Sequence, residues 1–216
     1  MKEKYLNSKR FQYIIGIFLV LPLIASFVIW LGLIEVSRVY LLCLPIIMSI
    51  NQFCATPISR ASGVFQYQSP MLLVYNANEK IYDLHSGTTF DYLLHMKWVD
   101  RGLEAQRKML AYFIEGLLEI IAKIESGEVP DTVKVVGTSY FFSERTAKKW
   151  GFKMTQPSTF YRLNLILNGL DLFLLYSYAQ NRLVFPKIWE AKKMEALGSE
   201  LLNNKAYLEG LFKRLS

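Results

Sequence analysis

The chain has two histidines, and both lie in one stretch, "DLHSGTTFDYLLH", between Asp83 and His95. Asp83 and His85 alternate, as residues sharing one face of a strand do. Asp91 and His95 are four apart, on one face of a helix, a spacing that can chelate a cation. A strand edge and a helix face meeting at the Gly87 turn would bring two imidazoles and two carboxylates together. That donor set suits zinc, iron or manganese. The same groups can serve as acid and base toward a substrate. An architectural use is equally open. Thr88 or Thr89 is a natural N-cap, Asp91 a favourable first-turn residue, and His85 a partner for a backbone carbonyl. The "SGTT" turn also offers amides and hydroxyls to an anion.

Other chemistry is sparse. Cys43 and Cys54 fall in one apolar segment. If it is helical they stand about 16 Å apart, beyond disulfide reach. Ser139 and Ser143 have no histidine nearby in sequence, and no G-x-S-x-G, P-loop, G-x-G-x-x-G or H-E-x-x-H pattern occurs. The net charge is +7, but Lys2, Lys4, Lys9 and Arg10 against Glu3 concentrate +3 of it at the N-terminus. Elsewhere the densest basic clusters are only pairs, Lys148-Lys149, Lys192-Lys193 and Lys213-Arg214. A nucleic-acid partner is therefore not expected.

Hydrophobic residues make up 52% of the chain, and the excess is concentrated near the N-terminus. Residues 11–33 carry no charge and have the ~20 residues that span hydrocarbon. Tyr13 and Trp30 sit toward the two ends, as aromatic belts do. A short polar link, 35–38, leads to a second uncharged run, 39–58, which includes Asn51 and Gln52. The two runs predict a transmembrane hairpin. The basic N-terminus predicts that both termini are cytoplasmic. In a bacterium that means the inner membrane.

The elements that must position the chemistry follow. Short strands are expected at 64–67, 71–75 and 80–84, with a turn at 76–79. Leu110, Phe113, Ile114, Leu117, Leu118 and Ile121 form one apolar stripe and predict a helix over 103–124, stopped by Ser126-Gly127. A buried strand is expected at 132–136, with Gly137, Thr138 and Ser139 turning the chain. Ser143 caps a short helix through Lys149, Gly151 closes it, and a strand follows at 152–155. Residues 160–179 predict a buried helix or one against the membrane surface, because Asp171 is costly inside a bilayer. Met194, Leu197, Leu201, Leu208, Leu211 and Leu215 predict an amphipathic helix over 187–215. It would pack on the body or bind a protein partner or membrane surface.

One segment, "VKVVGTSYFFSERTAKKWGFKM", resembles the part of GNAT-type N-acyltransferases where a core strand leads into a short helix ending in "klGF". The matching residues are Val133 to Val136 and Ala147 to Phe152, and the resemblance covers 101–154. The 103–124 helix stands where the acyl-CoA-binding helix of that family would be. The resemblance implies acyl-CoA as cofactor, with Arg101, Gly102, Arg107 and Lys108 toward its phosphates and Val135 and Val136 beside its pantetheine arm. The strands at 133–136 and 152–155 would splay around a pocket. The family's R/Q-x-x-G-x-G/A loop is reduced here to Gly102. The tyrosine general acid falls on Ala147, so Tyr140 would substitute. With His85 and Asp91, Tyr140 completes the candidate catalytic set.

The expected fold is thus an α/β (α+β) cytoplasmic domain, with a GNAT-like core, anchored by an N-terminal two-helix transmembrane hairpin. Its parts are a tail and hairpin (1–60), the α/β domain (61–182) and a C-terminal amphipathic helix (183–216). Three functions are open. They are an acyl-CoA-dependent N-acyltransferase domain, active or degenerate; a non-catalytic membrane scaffold using its C-terminal helix; and a metal site at Asp83, His85, Asp91 and His95.

Overall fold

The computed structural model describes residues 2–75, 77–97, 99–139 and 143–215. The N-terminal part comprises α1 (Lys2–Asn7), α2 (Lys9–Val36), a 3-10 segment (Arg38–Cys43) and α3 (Leu44–Ala61). Ser8 caps α2, its hydroxyl accepting from the Phe11 amide at 3.3 Å. With 28 residues, α2 is about 42 Å long, more than the ~30 Å of a hydrocarbon core. Both α2 and the helical run Arg38–Ala61 are long and apolar enough to cross a membrane. They pair antiparallel. Gly16 lies against Ile58 where any Cβ would collide with that side chain, and Trp30 Nε1 donates to the Tyr40 carbonyl at 2.8 Å.

The body contains β1 (Phe65–Ser69), β2 (Leu72–Tyr75), β3 (Ile81–Ser86), α4 (Thr89–His95), α5 (Leu103–Glu125), β4 (Lys134–Ser139), α6 (Glu144–Lys149), β5 (Lys153–Thr155), α7 (Thr159–Leu167), α8 (Gly169–Gln180), a 3-10 turn (Ile188–Glu190), β6 (Lys192–Leu197), α9 (Gly198–Asn203) and α10 (Lys205–Leu215). Six strands make one sheet in the order β1-β2-β3-β4-β6-β5. The β3/β4 pair is parallel and is bridged by α5, whereas the other pairings are antiparallel.

One face of the sheet carries the core. Leu72, Val74, Leu84, Val135 and Met194 meet Ile114, Leu117, Ile120 and Ile121 of α5. The six-residue helix α6 starts at its Ser143 cap and stops at Gly151, whose φ of 86° a side chain would resist.

Three expectations change. Gly137, Thr138 and Ser139 do not turn the chain but continue β4, because β6 pairs with it from Lys134 to Ser139. Residues 192–197 are not helical: they form β6, which lies between β4 and β5, so the strands at 133–136 and 152–155 are not neighbours. The helical period in that segment begins only at α9, and its stripe is already used. Leu201 and Leu208 are fully buried, and Leu211 and Leu215 pack against the α5 core. Residues 160–179 break into two helices at Asn168, whose side-chain amide donates back to the Asn164 carbonyl at 2.8 Å.

Candidate functional site

The structure separates the polar stretch into two places. Asp83 and His85 stay on β3, on the sheet face opposite α5. His85 Nε2 lies 3.4 Å from Asp83 Oδ2, and the Tyr161 hydroxyl of α7 lies 3.5 Å from the same oxygen. Burial pushes the Tyr161 phenol up, and the neighbouring Asp83 charge adds to this. The pair is half-buried, with His85 38% and Asp83 25% exposed. Asp83 Oδ1 and Thr138 Oγ1 are buried with no hydrogen-bond partner among the described residues. Asp83 is in register with Val136 of β4, so Thr138, two residues on, shares its face beside His85. An Nε2–H directed at the carboxylate leaves Nδ1 as a proton acceptor.

Asp91 and His95 go elsewhere. Asp91 is fully buried at the start of α4 in a capping box with Thr88. Tyr67 Oη donates to its carboxylate at 2.8 and 3.0 Å, and the Thr88 amide and hydroxyl donate at 2.9 and 3.0 Å. Thr56 Oγ1 of α3 lies 3.0 Å from Thr88 Oγ1, and the Arg60 guanidinium sits 4.2 Å from the Tyr67 ring centroid. Burial raises the Asp91 carboxyl above the usual range, although the hydrogen bonds from Thr88 and Tyr67 and the Arg60 charge oppose it. Burial, helped by Lys2 and Arg60, lowers the His95 imidazole to about 4. These groups tie α3 to the body. The four candidate ligands do not converge, and among the described residues no group of three or more His, Cys, Asp or Glu side chains is placed to hold a metal ion.

A cavity of about 660 Å³ opens on the α5 side. That is within the ~300–1,000 Å³ of ligand pockets. Its walls are mainly apolar, with Met71, Met109, Leu110, Phe113, Trp150 and Leu175 beside the neutral Gln106, Thr146 and Gln180, and none of the described lining residues is charged. Ser86 of β3 reaches it from below. The β3/β4 ladder ends at the Leu84–Gly137 rung, although β3 runs on to Ser86 and β4 to Ser139. The cavity and the Asp83–His85 pair therefore share the open end of this parallel pair, with Ser86 facing one and His85 the other.

The remaining sequence candidates are placed as follows. Arg101 lies over the Tyr178 ring, 5.3 Å from its centroid. Gly102 precedes α5 with φ 60°, and its amide donates to the Tyr178 carbonyl at 3.5 Å. Arg107 donates to the Leu215 and Arg214 carbonyls at 3.0 and 3.1 Å, and so caps the end of α10. Lys108 pairs with Asp100 at 2.7 Å. Gln106 donates to the Ala179 carbonyl at 2.9 Å, so the end of α8 abuts the start of α5. Val135 and Val136 are buried in the sheet. Tyr140 lies outside the described residues.

Sequence reasoning missed Tyr161 and Thr138. Tyr161 is 78 positions from Asp83 and has no sequence signal linking it there. Thr138 was hidden by reading the end of β4 as a turn. Comparison with protein-family models, curated proteins and solved structures found no match.

Proposed function

We propose that this chain is a membrane-anchored acyltransferase-like protein. It takes an acyl thioester into the α5-side cavity and presents it to an amine held at Asp83 and His85. The helices α2 and Arg38–Ala61 supply the anchor, and the body sits at their cytoplasmic end. The observation that carries the reading is the early end of the β3/β4 ladder, which leaves an uncharged cavity and a carboxylate–imidazole pair back to back across one parallel strand pair. Strand edges freed there can pair with the amides of a pantetheine arm. The local order of the segment resembling N-acyltransferases also fits, with β4, α6 stopped at Gly151, and β5 in sequence, although β6 separates the two strands in the sheet.

In the reaction, His85 Nδ1 takes a proton from the amine. The amine nitrogen forms a bond to the thioester carbonyl carbon, and the C–S bond breaks. The leaving thiolate takes up the proton, giving amide and thiol. Asp83 Oδ2, 3.4 Å from His85 Nε2, holds the imidazole tautomer that leaves Nδ1 to accept, and the amine reacts in its neutral form. Arg107 and Lys108 already have partners, and no described cavity-lining residue is charged. The apolar walls thus suit the acyl and pantetheine portion rather than the diphosphate.

The test is titration of dodecanoyl-CoA and of coenzyme A into the full chain in lipid nanodiscs. The acylated ligand should bind more tightly, and Leu110→Trp, which fills the cavity, should weaken it at least tenfold. No heat and no melting shift with either ligand at millimolar concentration would remove the reading.

A further inference from the structure

Helix α7 has no buried residue, and three of its apolar side chains point outward while Leu165 and Leu167 are half-buried. Phe160, Leu163 and Ile166 repeat every three positions on its exposed face, with Phe160 77% exposed. Such spacing ordinarily faces a core. Its inward positions are instead polar or mixed, including Tyr161, which reaches Asp83, and Asn164, which bonds Asn168. The 3-10 turn Ile188–Glu190 packs on α7 and adds Trp189, 75% exposed. Phe185 stacks on Phe173 of α8 at 4.4 Å between centroids yet remains 77% exposed.

Cations rim this surface. Arg162 projects from α7 with the neutral Gln156 as its hydrogen-bond partner, and Arg182 and Lys187 follow α8. Against these three stands Glu190, paired with Lys187 at 3.0 Å. The surface continues into the apolar hairpin, because α3 packs against both α7 and α8. The basic N-terminal tail lies at the same end of the hairpin, with the Tyr5 ring 5.4 Å from Phe90 of α4.

We infer that α7, the outer side of α8 and the 183–189 segment form a second membrane contact, an interfacial face that lies on the headgroups of an anionic leaflet. Exposed aromatic and aliphatic side chains enter the headgroup–acyl boundary, and the rim arginines and lysine meet anionic lipid, the combination that holds monotopic helices at a surface. The inference rests on the hairpin being in the bilayer. It has a consequence for the cavity. Phe173 of α8 stacks on Phe185 of this face while Leu175 and Ala179 line the cavity, so the cavity wall lies about one helix diameter, ~10 Å, from lipid.

The test uses the full chain with Cys43→Ala and Cys54→Ala. Single cysteines are then introduced by Leu163→Cys, Trp189→Cys, Phe18→Cys or Glu209→Cys and labelled with an environment-sensitive fluorophore. Each protein is reconstituted at one chain per nanodisc, in phosphatidylcholine with or without phosphatidylglycerol, and quenched by lipids brominated in the acyl chain. The label at 18 should be quenched and the label at 209 should not. Labels at 163 and 189 should be quenched in anionic discs, and Arg162→Glu with Arg182→Glu should cut that quenching by about twofold or more. Labels at 163 and 189 that behave like 209 while 18 is quenched overturn the inference alone. Shielding at 163 that appears only with two chains per disc overturns it in favour of a face between copies. An unquenched label at 18 overturns the anchoring itself. No thioester enters the assay, so failure of the acyl-transfer reading leaves the result unaffected.

Discussion

Asp83 with His85, and Asp91 with His95, come from one polar stretch but end in opposite conditions. The first pair is half-exposed on an open sheet face, with one carboxylate oxygen lacking a partner. In the second, Asp91 is fully buried and accepts from Tyr67 and Thr88. Burial separates their roles. A carboxylate enclosed by donors is a structural tie, costly to disturb and closed to substrate. A carboxylate that orients a partly exposed imidazole leaves that imidazole open to a reactant.

This contrast is most easily broken at Asp91. Asp91→Ala leaves the Thr88 amide and the Tyr67 hydroxyl buried without an acceptor and should cost about 3 kcal/mol. Urea unfolding in detergent reads it, and a loss below about 1 kcal/mol would mean the cluster is not a tie. Next in size is an acid-side loss of stability from His95. Its imidazole is lowered from 6.5 to about 4 in the fold. Between those values the unfolded chain binds more protons, so stability should rise with pH across that window and be lost as pH falls through it. Allowing for partial burial, the change is about 1–2 kcal/mol. His95→Gln should remove that rise in a pH series of melting curves. Asp91 acts in the opposite sense. With its carboxyl held above the ordinary 3.8, it favours the fold at low pH and loses that contribution as pH rises. His95→Gln should therefore expose a slope of reversed sign.

A smaller effect is expected at Arg107, whose guanidinium caps two exposed carbonyls at the end of α10. Arg107→Ala should lower stability by about 1 kcal/mol and show first as faster hydrogen exchange in α10. The smallest stability change should come from His85→Gln, under about 0.5 kcal/mol, because the imidazole is partly exposed and tied by one contact. Under the proposed acyl transfer, the same substitution should lower thiol release from an acyl thioester at least a hundredfold. A His85 variant as unstable as Asp91→Ala would erase the distinction between the two pairs.

Local pattern made much of this molecule legible in its sequence. The uncharged runs predicted both long apolar helices. The α5 stripe, the Ser143 cap and the Gly151 stop predicted elements that form nearly where expected. Each of these signals arises within a few turns of chain: hydrophobic period, a capping hydroxyl, a positive φ. Sequence also singled out Asp83 and His85 as a strand-borne pair, since alternation alone puts them on one face.

Pairing between distant segments was decided only by the tertiary structure. Residues 192–197 have the spacing of an amphipathic helix, yet they form a strand because β4 and β5 offer ladders on both sides. Gly137 and Thr138 read as a turn, but β6 holds them extended. Tyr161 reaches Asp83 only because α7 crosses the open sheet face. Asp91 is a buried tie rather than a ligand because Tyr67 of β1 donates to it and Thr56 of α3 holds its capping partner Thr88. Helical period and capping are energies between near neighbours in sequence. Strand order, burial of a carboxylate and the composition of a cavity are energies between segments far apart, and only the assembled sheet determines them.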